Sequence, residues 1–139
     1  MPSAKSLITK VSAAIKKVGP MARTSYKRVV TITGGDALIG RAETVTNADT
    51  LFNPQPIYRQ LGHRQAMYLS TSTTQLVADD FKFTFPATQV RVADFEGANT
   101  YIVLKDANGE ERFRILYIDP TDYQGLDVVI SVFARSMGH

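Results

Sequence analysis

The segment from Thr100 to Arg135 constrains the fold most strongly, because it predicts three consecutive antiparallel strands and both turns between them. Asn108-Gly109 is the dipeptide best suited to the positive backbone angles of a two-residue hairpin turn. A second reversal is predicted over Asp119–Gly125, which holds a proline, two aspartates and a terminal glycine. The chain should therefore end in a β-meander with strands over Thr100–Lys105, Arg112–Ile118 and Leu126–Ala134.

Earlier parts of the chain also alternate with the period of a strand. Tyr26–Thr33 is predicted to pair with Ala37–Val45 across a turn at Gly34-Gly35-Asp36. Phe81, Phe83 and Phe85 alternate with polar residues and should share one buried face. Two short strands are predicted over Ala66–Ser70 and Val90–Val92. Together with an N-terminal α-helix, these elements predict a mainly β fold, a small antiparallel β-barrel or sandwich of about seven strands.

The N-terminal arm, residues 1–22, is cationic and helical in pattern. Its apolar residues recur at spacings of three and four from about Ser6 to Val18, which predicts one apolar stripe on a helix that Ser3 or Ser6 could cap. Gly19-Pro20 should end this helix. Three interpretations stay open: the helix packs on the β domain of residues 23–139, it docks on a partner or near nucleic acid, or it is a transit peptide. The cations expected to meet DNA or an acidic partner are Lys10, Lys16 and Lys17.

Charge is distributed unevenly along the 139 residues. Residues 1–69 carry ten Lys and Arg against three Asp and Glu, whereas residues 70–139 carry six against ten. A cationic first half that faces the acidic second half of a neighbouring copy would favour a head-to-tail contact, and such contacts close into rings when the rotation permits. Charge asymmetry therefore predicts self-assembly.

A long irregular loop is predicted over Thr46–Gln65, which breaks both periods and holds two prolines. Loops of about this length in compact domains are usually functional or disordered. We therefore expect its apolar residues to contact a partner or a neighbouring subunit, or simply to cover the end of the barrel. The arginines Arg59 and Arg64 would face the DNA or an acidic partner. The apolar set is Leu51, Phe52, Ile57, Tyr58 and Leu61.

Motifs of catalysis are sparse. The chain has no cysteine, and its two histidines, His63 and His139, lack metal-ligand spacing. A cation site from four carboxylates, the basis of a possible metal-dependent hydrolase, is a weaker hypothesis than a solvated acidic edge. These carboxylates are Asp79, Asp80, Asp94 and Glu96. We expect no enzyme activity, no cofactor and no membrane span, and synthesis in the cytoplasm.

The order of these elements resembles the head-closure, or stopper, proteins of tailed-bacteriophage necks. The resemblance runs from about Tyr26 to Arg135 and includes TYIVL, NGEERFRILYIDP and GLDVVISVFAR of the closing meander. The order of elements is similar also to that of neck adaptors and tail-completion proteins. It implies a virion protein whose β-barrel subunits form a ring of six or twelve copies between the portal or adaptor and the tail. It also implies that a loop, here Thr46–Gln65, projects toward the channel and helps to retain packaged double-stranded DNA without reading its sequence.

A second function stays open, a monomeric barrel that binds single-stranded nucleic acid. In that case Phe52, Tyr58 and Tyr68 would stack on bases beside Arg59 and Arg64.

Overall fold

A seven-stranded antiparallel sheet forms most of the molecule. The computed structural model describes residues 3–18, 23–36, 40–71, 74–87, 90–123 and 125–138. Within these residues the helices are α1 (Ala4–Val18), α2 (His63–Leu69) and α3 (Ala93–Glu96). The strands are β1 (Thr24–Asp36), β2 (Arg41–Leu51), β3 (Ile57–Gln60), β4 (Phe81–Pro86), β5 (Thr100–Asp106), β6 (Gly109–Tyr123) and β7 (Leu126–Ser136).

The strand order is β2-β1-β5-β6-β7-β4-β3, and every neighbouring pair is antiparallel. The predicted mainly β fold of seven antiparallel strands with an N-terminal helix is confirmed. The sheet does not close into a barrel, because β2 and β3 lie at its two ends and do not pair with each other. It therefore has two edge strands.

The closing meander is confirmed, with two corrections. Its first hairpin turns at Ala107 and Asn108 and not at Asn108-Gly109, because Asp106 pairs with Gly109, which is the first residue of β6. Asp119–Tyr123 was predicted as a turn but belongs to β6, where Pro120 pairs with Ile130 and Tyr123 with Leu126. The long apolar run of β7 offers a partner to this segment, so the strand continues. Strand β5 pairs with β6 only as far as Arg114, so beyond that residue β6 has pairing on one side only. Proline is tolerated where one side of a strand is unpaired.

Helix α1 packs against β7 and β4, and its Ile15 is buried. The predicted amphipathic helix is confirmed, as is its packing on the β domain. The Ser3 hydroxyl accepts a hydrogen bond from the Ser6 backbone N–H at 3.1 Å, which caps the first turn. The predicted stop at Gly19-Pro20 lies outside the described residues.

Four local predictions were wrong. Gly34-Gly35-Asp36 is not the turn of the first hairpin, because these residues belong to β1, where Gly34 pairs with Glu43 and Asp36 with Arg41. Ala66–Ser70 is not a strand, because its first four residues belong to helix α2, in which Ala66 is buried against the core. Val90–Val92 forms no strand and leads into α3. Thr46–Gln65 is not an irregular loop, because it contains the end of β2, all of β3 and the start of α2.

Two apolar clusters hold the sheet to its helices and connections. The larger one contains Phe83 and Phe85, so the predicted phenylalanine face is confirmed, with Phe81 partly buried against it. Its ring contacts include Phe83 with Phe113 at 5.4 Å between centroids. The smaller cluster, Leu61, Ala66, Leu76 and Phe133, attaches α2 to β7. Each fully buried large side chain contributes roughly 1.5–3 kcal/mol.

Candidate interaction surface

Strand β3 and helix α2 form an open groove on the surface, which we call the α2 groove. It has a volume of about 360 Å³ and is lined by Arg59, Arg64, Gln65, Tyr68 and Leu69. Burial within the chain explains which side chains line the groove. Leu61 and Ala66 are buried in the smaller cluster, so the sides of α2 that carry Arg64 and Tyr68 face the solvent.

The α2 groove combines an exposed aromatic ring with two cations. Tyr68 is 90% exposed and its neighbour Met67 is 67% exposed, unusually high values for large apolar side chains. Among the residues that the structure describes, neither Arg59 nor Arg64 has an ion-pair partner. The groove can therefore accept an apolar group flanked by negative charge.

At the other end of the sheet, β1 and β2 extend as a two-stranded ribbon. Strand β5 pairs with β1 only over Thr24–Val29, whereas β2 follows β1 to Asp36. We call Thr31–Gly35 together with Ala42–Asn47 the β-arm. Every residue of the β-arm is exposed.

The two faces of the β-arm differ in chemistry. On one face Ile32 lies directly opposite Val45, with exposures of 53% and 59%, and Glu43 precedes Val45 by two residues on the same side. The other face carries the pairs Thr31 with Thr46 and Thr33 with Thr44. One face is thus apolar with a carboxylate beside it, and the other is lined by hydroxyls.

An ion-pair network fixes the base of the β-arm. Arg28 donates to both carboxylate oxygens of Asp49, with Nε–Oδ1 2.8 Å and Nη2–Oδ2 2.9 Å, and also to Glu110. Lys105 Nζ lies 2.6 Å from Asp49 Oδ2. Hydrogen bonds from Arg28, then from Lys105, lower the pKa of Asp49 to about 2 although burial opposes the shift. The same guanidinium lowers the pKa of Glu110, while the two carboxylates raise the pKa of Arg28.

The chain beyond β2 is held by the Gln55 side chain. Its Oε1 accepts from the Ser25 N–H at 2.7 Å, and its Nε2 donates to the carbonyls of Ser25 at 3.0 Å and Phe52 at 2.6 Å. The side-chain amide thereby satisfies both backbone groups of Ser25 at the start of β1. This clamp positions β2 and the β-arm relative to the core.

The five apolar residues predicted as partner contacts differ in burial in the structure. Phe52 is buried against Phe85 with 4.7 Å between ring centroids, and Leu61 is buried in the smaller cluster. Tyr58 packs on the larger cluster, and its hydroxyl accepts a hydrogen bond from the Arg23 N–H at 3.1 Å. These contacts explain their apolar character within the chain. Phe52 is buried and therefore not accessible to a base, whereas Tyr58 is half-buried. Leu51 is exposed and Ile57 is half-buried.

The predicted cations are placed apart. Arg59 and Arg64 meet in the α2 groove, whereas Lys10 is exposed on α1. The side chains of Lys16 and Lys17 lie outside the described part of the chain.

The four carboxylates of the cation-site hypothesis serve separate structural roles or remain exposed. Asp80 is buried and accepts two hydrogen bonds from Arg135, and Asp79 accepts one from Gln60. Asp94 accepts from the Arg91 N–H at the start of α3, and Glu96 is exposed. In the described ranges no group of three or more His, Asp or Glu is positioned to hold a metal ion, so the four do not assemble into one site.

The sequence analysis predicted neither the β-arm nor the contacts of Arg28 with Asp49 and of Gln55 with Ser25 that hold its base. The alternation of threonine with Ile32 and Val45 predicts strands, but an alternating pattern does not show whether a strand is exposed on both faces.

Among the described residues, no helix is long and apolar enough to cross a membrane. The sequence matches no protein-family model, no curated protein and no solved structure.

Proposed function

We propose that this protein is a structural virion component of a tailed-bacteriophage neck. Copies of the chain form a ring between the portal or adaptor and the tail, join head to tail and help to retain packaged DNA. The observation that carries the proposal is the β-arm, whose residues are all exposed and have no partner other than each other in the described chain. Two exposed strands with large β-branched side chains are typical of a segment that a partner covers.

The β-arm replaces Thr46–Gln65 as the projecting element in this proposal. Apart from Thr46 and Asn47, which belong to the β-arm, the Thr46–Gln65 segment is held by β3, by Gln55 and by buried Phe52 and Leu61, so it is part of the body of the subunit. The β-arm, in contrast, extends beyond the end of β5. It can reach a neighbouring subunit or a channel without loss of the core.

The two unpaired edges of the sheet also support assembly. Strand β2 and strand β3 lie at opposite ends of the sheet. An edge strand presents unpaired backbone groups that a further chain can use. Since the two ends of one subunit differ, contacts between them are head-to-tail, and these close into rings when the rotation permits.

The test is the state of the purified protein and its presence in particles. Native mass spectrometry and negative-stain electron microscopy should show a closed ring, and mass spectrometry of purified virions should detect the chain. Full-length protein that stays monomeric at all concentrations and is missing from virions would refute the proposal.

Binding of single-stranded nucleic acid is a second candidate, and one observation favours it. Tyr68, Arg59 and Arg64 line the same groove, and an exposed aromatic ring beside cations is the usual platform for base stacking. An electrophoretic shift with short oligonucleotides at low salt tests it. Tight one-to-one binding by a monomer that Tyr68→Ala abolishes would favour this candidate over the ring.

A further inference from the structure

We infer that the α2 groove of one subunit binds the β-arm of the next copy of the same chain. This inference rests on the proposed ring and identifies its contact surfaces. The two surfaces are built at opposite ends of one sheet, since the β-arm continues the β1-β2 edge and the groove lies beside β3.

The two surfaces are complementary in charge. The groove presents Arg59 and Arg64, and the β-arm presents Glu43, an exposed carboxylate without an ion-pair partner among the described residues. Opposite charges across a rim steer encounter and set the register of a contact. A second copy therefore carries the group that the groove can accept.

Their apolar parts also match. Ile32 and Val45 form an exposed cross-strand pair on the same face as Glu43. Tyr68 and Leu69 line the groove together with its two cations, and the residue before Tyr68 in α2, Met67, is exposed. An apolar patch flanked by a carboxylate would thus meet an aromatic patch flanked by guanidinium groups. Aromatic, methionine and arginine side chains are enriched at such interfaces.

The contact must join different molecules. In the described chain every residue of the β-arm is exposed and the α2 groove is open, so the two surfaces do not contact each other within one subunit. A contact between unlike ends is heterologous, and each subunit keeps one free arm and one free groove until a ring closes.

Charge reversal on the full-length protein tests the inference, with native mass spectrometry and light scattering as the readouts. Glu43→Arg alone, and Arg59→Glu with Arg64→Glu together, should each weaken ring formation at least about tenfold. Combining all three changes should restore the ring, which a merely misfolded variant would not do. The matched controls are Asp119→Arg on an exposed strand position and Arg91→Glu on an exposed connection, and both should leave the ring intact.

A disulfide experiment gives an independent measurement, because the chain has no cysteine of its own. Val45→Cys protein mixed with Tyr68→Cys protein should form a mixed dimer on oxidation, since a disulfide needs Cα atoms within about 7 Å. Thr46→Cys lies on the opposite face of the β-arm and should crosslink far less.

The outcomes separate the inference from the proposed function. A ring that persists in every charge variant and never gives the Val45–Tyr68 crosslink would overturn the inference and leave the ring standing. A wild-type protein that stays monomeric would overturn both. An oligonucleotide shift by the monomer that Arg59→Glu with Arg64→Glu abolishes would overturn the inference in favour of nucleic acid as the occupant.

Discussion

The ion pair between Asp80 and Arg135 offers a sharp test of how the end of β7 is secured. The Asp80 side chain is 1% exposed, and its oxygens accept from Arg135 Nε at 2.8 Å, from Arg135 Nη2 at 3.0 Å and from the Val77 N–H at 2.9 Å. Arg135→Met keeps the apolar stem but leaves the carboxylate with only one of these three donors.

The expected cost follows from burial. Removing one member of a buried ion pair costs roughly 3–5 kcal/mol, because the other charge is left without compensation. The Arg135 side chain is 36% exposed, so solvent screens part of this interaction. In addition, Arg114 lies directly opposite Arg135, so Arg135→Met also removes a like-charge repulsion, which offsets the destabilisation by about 0.2–1 kcal/mol. A net destabilisation of about 2 kcal/mol is expected.

Urea denaturation at a fixed protein concentration measures this effect. With a slope of roughly 1–3 kcal/mol per molar, the midpoint should fall by about 1 M in Arg135→Met. Arg114→Met is the matched control, since it removes an exposed arginine at the paired position; because it also relieves the repulsion with Arg135, it should leave the midpoint unchanged or raise it slightly. Adding Asp80→Asn to Arg135→Met should recover part of the loss. Equal midpoints for the Arg135→Met and Arg114→Met proteins would refute the reasoning.

Three further outcomes are expected. Folding lowers the pKa of Asp49 from 3.8 to about 2, so about 2 kcal/mol of stability is present above pH 3.8 and is lost as the pH falls through about 2; Asp49→Asn should flatten acid unfolding monitored by circular dichroism, and an unchanged acid profile would contradict this role. Phe83→Ala removes a fully buried ring and should cost roughly 3–5 kcal/mol in thermal denaturation, whereas a loss below about 1 kcal/mol would place Phe83 outside the core. Gly35→Ala puts a Cβ 2.4 Å from Glu43 Cγ at a φ of +86°, whereas Gly34→Ala at +73° meets nothing within 4 Å; hydrogen exchange in the β-arm should therefore accelerate more in Gly35→Ala, and equal rates would count against the described register.

The accuracy of the sequence predictions depended on how local their causes are. The hairpin between β5 and β6 and the alternation of Phe81 with Phe85 were recognised because turn chemistry and period-two burial are encoded in neighbouring residues, although the turn was placed one residue too late. Ala66–Ser70 was mistaken for a strand, since a short apolar run does not distinguish a strand from one side of a short helix. The α2 groove was predicted only in part: Arg59 and Arg64 were named, but the sequence left open whether Phe52 and Leu61 contact a partner or cover the end of the β domain, and the structure buries both.

The amino-acid sequence by itself determined the meander, the N-terminal helix and the antiparallel class, because each depends on residue spacing and turn residues within a short window. Only the tertiary structure decided that the sheet stays open, with β2 and β3 at opposite ends. It also decided that Tyr68 is exposed whereas Phe52 is buried. The physical reason is that exposure depends on which distant segments cover a side chain, and that information lies in contacts between residues far apart in the chain.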